Sequence, residues 1–126
     1  MPQFVKENVA LKDHTTYRIG GPARAYVTLE RVEDLPEIIE IVRHRQEPYF
    51  LLGGGSNILV SDRGFPGTVI HIRNKGMAVN GERLMAQAGE SLADVIALSV
   101  EAGLGGLEWG TSVPGTIGGA VVGNAG

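Results

Sequence analysis

The chain has 126 residues, a formal net charge of −3, 43% hydrophobic residues and no cysteine. That length supports one ordinary core but not two large domains. The missing cysteines exclude a disulfide framework, a thiolate nucleophile and a CxxC redox or zinc site. The eleven basic residues are scattered and form no stripe for nucleic acid.

In chain order, residues 4–23 read as an irregular lead-in that ends in the Gly20-Gly21-Pro22 turn. Arg24–Leu29 is expected to be a strand, and Val32–Gln46 a helix. Leu35, Ile38, Ile39 and Val42 fall on one apolar stripe of that helix. Glu33 and Asp34 near its start, and Arg43, His44 and Arg45 near its end, suit the helix dipole. Pro36 is tolerable in the first turn. Tyr49–Leu52 is a short strand, so a strand–helix–strand unit with parallel pairing and a right-handed crossover is expected. Ile58–Val60 and Thr68–Ile72 are read as further strands. Asn80-Gly81 signals a two-residue hairpin, with Arg83–Ala88 as its return strand. Ser91–Ala102 is a second helix, with Ser91 and Asp94 as a capping pair and Gly103 just past its end.

The closing Ala120-Val121-Val122-Gly123-Asn124-Ala125-Gly126 reads as a strand entering a turn, and the chain is expected to be an N-terminal portion of something longer. A composition shift near Arg73–Gly76 divides it into two subdomains, 1–74 and 75–126. The first is expected to be α/β with parallel pairing. The second would be the start of a mainly antiparallel α+β subdomain.

Glycine is the outlier. Nine of nineteen glycines lie from Gly103 onward, interleaved with Leu, Trp, Val and Ile that a disordered linker would lack. Two loops stand out: Gly53-Gly54-Gly55-Ser56-Asn57, and Ser112-Val113-Pro114-Gly115-Thr116-Ile117-Gly118-Gly119-Ala120. The first is not a Walker A loop, because no Gly-Lys-Ser/Thr follows, and it is not a Rossmann fingerprint, because the third glycine is missing. What remains is a turn whose successive amides suit an anion, with the Ser56 hydroxyl and Asn57 amide as further donors. A purely steric turn stays open as the alternative. In the second loop Thr111, Ser112 and Thr116 offer hydroxyls, and a glycine-packed strand crossing is the competing explanation. Two such loops in one chain suggest a long ligand held at two places, a dinucleotide such as FAD.

Three stretches in order carry a family resemblance: His14-Thr15-Thr16-Tyr17-Arg18-Ile19-Gly20-Gly21-Pro22-Ala23, Leu52-Gly53-Gly54-Gly55-Ser56-Asn57-Ile58-Leu59, and Val113-Pro114-Gly115-Thr116-Ile117-Gly118-Gly119-Ala120 with Asn124-Ala125-Gly126. The chain resembles the FAD-binding portion of the UDP-N-acetylenolpyruvoylglucosamine reductase family, in its second structural class. Ser112 stands where the family commonly has glycine. The resemblance implies a two-subdomain FAD fold of the vanillyl-alcohol-oxidase-like (PCMH) type, α+β overall. It implies that Leu52, Gly53, Gly54, Gly55, Ser56, Asn57 and Ile58 hold the pyrophosphate of a non-covalent FAD. Thr111, Ser112, Pro114, Gly115, Thr116, Gly118, Gly119 and Ala120 would lie on the flavin side. It further implies an NADPH-dependent reduction of the enol ether of a nucleotide-sugar substrate in peptidoglycan precursor synthesis. The remaining C-terminal part of the same enzyme would then be its partner, and the family's catalytic residues would lie beyond Gly126. No nucleic acid, membrane or metal partner is expected, and the setting is expected to be cytoplasmic: no apolar run reaches the ~20 residues of a membrane span, and no leader opens the chain. Another FAD-dependent oxidase of the same fold, or a non-catalytic nucleotide-binding module, are the alternatives.

Elsewhere the residues point to structural roles. His14, His44 and His71 do not have metal-site spacing, with His44 a dipole partner and His71 a half-exposed sheet residue. Asp62 is expected to cap its turn, Trp109 to anchor a core, and Arg18 to form an exposed ion pair. Glu108 is a further acid near the second loop.

Overall fold

The computed structural model describes residues 5–126, so Phe4 of the expected lead-in and the first four residues of the 1–74 unit lie outside it. The main sheet has the order β1-β2-β4-β3, formed by Val5–Ala10, Pro22–Leu29, Phe65–Ile72 and Tyr49–Leu52 respectively. β1 runs antiparallel to β2, while β2 and β3 each pair parallel with β4. Near-continuous apolar runs in β2 and β4 reflect cover on both sheet faces. On one face Leu11, Tyr26, Leu52, Val60 and Val69 form a core. On the other, Val27, Leu29 and Ile70 pack against Ile38 of helix α1 (Leu35–Arg45).

The parallel strand–helix–strand unit is present, but its strands are not neighbours. β4 lies between β2 and β3, because eight-residue β4 can pair along both sides. Four-residue β3, with Tyr49 and Leu51 exposed, occupies the edge. Entry to β3 is secured by the Glu47 carboxylate, which accepts from Arg45, Arg24 and the Thr68 hydroxyl.

The lead-in is more ordered than its sequence suggests. Lys6, Glu7 and Asn8 stand together without alternation, yet Val5–Ala10 forms β1, a charged strand at the open sheet edge. A 3-10 turn at Leu11–His14 then buries Leu11. Ile58–Val60 is not a strand. Val60 is buried and Leu59 is 72% exposed, while the following Ser61 carbonyl accepts from Gly21 and Gly64, tying this stretch to a loop instead of a ladder.

In α1, Ile38 is buried and Leu35 and Val42 pack beside it, but Ile39 is 43% exposed, so the apolar stripe is narrower than its spacing implies. Val32–Asp34 forms a separate 3-10 turn ahead of it. The second sheet is only a hairpin, β5 (Met77–Asn80) and β6 (Arg83–Ala86). The return strand stops at Ala86 because the Gln87 amide turns back to the Gly76 carbonyl. Helix α2 (Leu92–Glu101) starts where expected, with Ser91 Oγ accepting from the Asp94 amide at 3.4 Å, and Gly103 follows its last turn.

The final segment departs furthest from expectation. Ile117–Val122 is a short helix, α3, and not a strand. Thr116 Oγ1 accepts from the Gly119 amide at 3.3 Å and starts the turn despite the β-preferring valines. Val121 and Val122 are exposed. The whole is α+β, as the sequence suggests.

Candidate functional site

The first glycine loop leaves β3 at its C-terminal end, where open parallel sheets present ligand sites. Leu52 is 2% exposed and its side chain belongs to the core, so any ligand contact there would be through its backbone. Gly53, Gly54 and Gly55 have no side chain to bury. Gly55 has φ +74°, and an added Cβ would collide with the His14 carbonyl. Its own carbonyl accepts from the Thr16 amide at 2.9 Å. Among the described residues, the amides of Gly54, Gly55, Ser56 and Asn57 donate to no carbonyl or side chain. Four successive donors without an internal partner suit an anion.

The second loop is brought directly against the first. A Cβ on Gly54 would lie 3.3 Å from Gly115 Cα, one on Gly53 2.8 Å from Thr116 Oγ1, and one on Gly115 2.9 Å from Ser56 Oγ. The two bends therefore meet backbone to backbone, and glycine is what permits the approach. Gly115 itself has φ +113°, and its carbonyl accepts from the Leu92 amide at the start of α2.

The second loop offers fewer free donors than its hydroxyls and glycines suggest. Ile117 and Gly118 donate to the Glu90 and Ala88 carbonyls, Gly119 to Thr116 Oγ1 and Ala120 to the Thr116 carbonyl. Thr111 Oγ1 donates to the Glu108 carbonyl at 2.8 Å. Gly118 packs on Ala88, whose Cβ lies 3.1 Å from where its own would be. Pro114 holds the bend ahead of Gly115, and Ser112 has no side-chain bond among the described residues.

Several sequence expectations change. Trp109 is 48% exposed and so is not a core anchor. Ser61, not Asp62, caps its turn, accepting from the Arg63 amide at 3.2 Å. Arg18 forms no ion pair among the described residues and lines, with Lys12 and Asp62, a recess of about 380 Å³ that includes no glycine-loop residue. Glu108 accepts from the Gly106 amide, and backbone hydrogen bonds hold its carboxyl below the usual range.

What the sequence missed is a ring cluster beneath the first loop. Strand alternation puts Tyr26, Val69 and His71 on one face, and Tyr26 pairs with Val69. The Tyr26 hydroxyl and His71 Nδ1 are hydrogen-bonded to each other. His14 stacks on Tyr26 with centroids 4.9 Å apart, and meets His71 edge-on at 5.5 Å. Burial, then the neighbouring His14 and Arg73, push the His71 pKa down to about 4, so the ring is neutral at pH 7. Positions 14, 26 and 71 share no periodicity; the one signal was a histidine inside an otherwise apolar strand. No cluster of three metal-ligating residues occurs among the described residues.

Comparison with known proteins agrees with this picture. The family described as FAD binding domain matches residues 23–126. The UDP-N-acetylenolpyruvoylglucosamine reductase of Synechococcus sp. (strain WH7803) is 41% identical over 97% of this chain and 40% of its own length. That of Clostridium botulinum (strain Hall) is 39% identical over 92% of the chain and 38% of its own. The crystal structure of UDP-N-acetylenolpyruvylglucosamine reductase (MurB) from Thermus caldophilus superposes with a TM-score of 0.72 at 38% identity, covering 94% of this chain and 42% of that one. The chain thus spans about two-fifths of the length of these relatives. With its glycine bends abutting and its family matched over most of its length, this chain belongs to the FAD binding domain family.

Proposed function

We propose that the chain is the FAD-holding part of an NADPH-dependent reductase that converts UDP-N-acetylglucosamine enolpyruvate to UDP-N-acetylmuramate in peptidoglycan precursor synthesis. The observation that carries this reading is the close meeting of the two glycine loops, together with the amides of Gly54–Asn57 that donate to no group among the described residues. The similarity to named reductases over 97% of the chain supports the choice of reaction.

In this reading Gly53–Asn57 cradles the pyrophosphate, with Ser56 Oγ and the Asn57 amide beside it. Ile58 backs the loop from the core. Ser112, Pro114, Gly115 and Thr116 form the facing wall, and Gly118, Gly119 and Ala120 hold that wall in place through α3. Bound flavin supplies the hydride relay between NADPH and substrate; these residues supply binding and orientation. Division into subdomains 1–74 and 75–126 is supported by the break between the two sheets after Ile72. No helix of the described residues is long and apolar enough to cross a membrane, which is compatible with a cytoplasmic setting.

The test is optical. Purified chain should be yellow with a flavin spectrum, and a protein spanning the full length of its relatives should bleach on NADPH addition, with colour restored by the enolpyruvyl nucleotide sugar. A colourless protein indifferent to added FAD would remove the proposal.

A further inference from the structure

The chain leaves the main sheet after Ile72 and enters the hairpin at Met77, so Arg73–Gly76 is the crossing between the two halves. Gln87–Glu90 closes around that crossing. Gln87 Oε1 accepts from Asn74 Nδ2, the Gly89 carbonyl from Lys75 Nζ and Glu90 Oε1 from the Gly76 amide, each at 2.8 Å. The Gln87 amide donates in return to the Gly76 carbonyl. Gly89 lies so close that a Cβ on it would fall 2.5 Å from the Asn74 carbonyl oxygen. The crossing is in turn fixed to the first loop, because β4 pairs with β3 up to Leu52, the residue before Gly53. The same Gln87–Glu90 segment also holds the second loop. The Ala88 and Glu90 carbonyls accept from Gly118 and Ile117, and the adjoining Ser91 bridges to Thr116. Among these residues Glu90 alone serves both sides. Its side chain, in a residue only 7% exposed, holds the crossing, and its carbonyl holds the loop. A buried amide deprived of its acceptor must find another, so without the Glu90 carboxyl the crossing shifts against the loop.

We propose that Glu90 is a positioning residue for the two-loop site: by holding Gly76 with its side chain and Ile117 with its backbone, it sets the gap across which Gly115 meets Gly54. The inference rests on the reading that FAD engages both loops. A ligand that spans two subsites gains from the second only when their spacing matches its length. A ligand that meets one subsite is indifferent to that spacing. Glu90, being buried, acts through the distance between the bends.

Two measurements on the purified chain test it. The chain has no cysteine of its own, so spin labels at Glu40→Cys on α1 and Val100→Cys on α2, both exposed, report the placement of the halves. Electron–electron double resonance of the flavin-free protein should give one narrow distance, unchanged by FAD. A broad distribution that narrows only when FAD is added overturns the proposal with Glu90 still in place. Titration then compares FAD with ADP and with riboflavin, each of which carries one end of it. Glu90→Ala should raise the FAD dissociation constant by about tenfold and leave those of ADP and riboflavin unchanged. Glu90→Gln, which keeps an acceptor for the Gly76 amide, should restore FAD affinity. Equal weakening of all three ligands, or no weakening, overturns the role of Glu90. Gly54→Val separates the two levels of the claim. If it abolishes FAD binding while Glu90→Ala leaves FAD and ADP in their wild-type ratio, the loop reading survives and the positioning role falls. If both variants bind FAD as the wild type does, the loop assignment falls together with the positioning role.

Discussion

In Gly53–Asn57 four consecutive amides are left without an internal partner, and the carbonyl of Gly55 is the group engaged by the rest of the protein. In the later half of Ser112–Ala120 the amides are engaged: Ile117, Gly118, Gly119 and Ala120 all donate within the fold, and Gly118 serves close packing on Ala88. Both stretches are rich in glycine, and they differ in how many of their amides are already engaged. A glycine-rich loop becomes an anion site only when its carbonyls are anchored and its amides are not. The same residues with their amides satisfied make a wall.

Substitutions in the two loops should therefore separate affinity from stability. Gly54→Val places a branched side chain against Gly115 Cα, 3.3 Å from the first added carbon. FAD affinity should fall by about a hundredfold or more, about 3 kcal/mol, with a much smaller change in Tm. Titration of flavin fluorescence checks the first and calorimetry the second. A normal affinity would show that the loops separate freely.

Gly118→Val should do the reverse. Its Cβ would meet Ala88 Cβ at 3.1 Å and the Ala88 carbonyl at 3.2 Å, an overpacking cost of about 2 kcal/mol. Denaturant titration should register that loss, while the remaining folded protein binds FAD nearly as before. Thr116→Ala removes the cap of α3 and should cost about 1 kcal/mol, read by the same titration.

A further effect concerns pH. His71 in the folded chain has a pKa of about 4 against 6.5 in an ordinary environment, faced by Tyr26 from β2, His14 from the lead-in turn and Arg73 from the end of β4. Between those values the unfolded chain binds the extra proton, so stability rises with pH across that window. The contribution is complete above pH 6.5 and is lost as pH falls toward 4. Thermal melts of the wild type should show this slope, and His71→Gln should make it shallower. An unchanged slope would remove His71 as its source.

Much of this architecture was legible from pattern. The Asn80-Gly81 hairpin, the Ser91 cap and the stripe of α1 rest on neighbours a few residues apart, and local chemistry settles them. β1 was not, because Lys6, Glu7 and Asn8 carry no alternation and the strand exists only through its pairing with β2. The strand expected from Ala120 onward, where two valines outweigh one threonine cap in a local count, is instead the end of the helix at Ile117–Val122, because Glu90 and Ala88 hold the turn from a distance.

From the residues alone came the two glycine bends, their unlike design and the absence of the lysine or third glycine that would have made the first a familiar nucleotide loop. Those follow from what a missing Cβ allows and need no knowledge of neighbours. Only the folded chain decided that the bends meet at Gly54 and Gly115, that the amides from Ile117 to Ala120 are engaged while those from Gly54 to Asn57 are not, and that His14, Tyr26 and His71 gather beneath the first. Each of these depends on strands widely separated in sequence coming side by side. Which way a peptide turns is set by the groups that reach its carbonyl, and here those groups come from elsewhere in the chain.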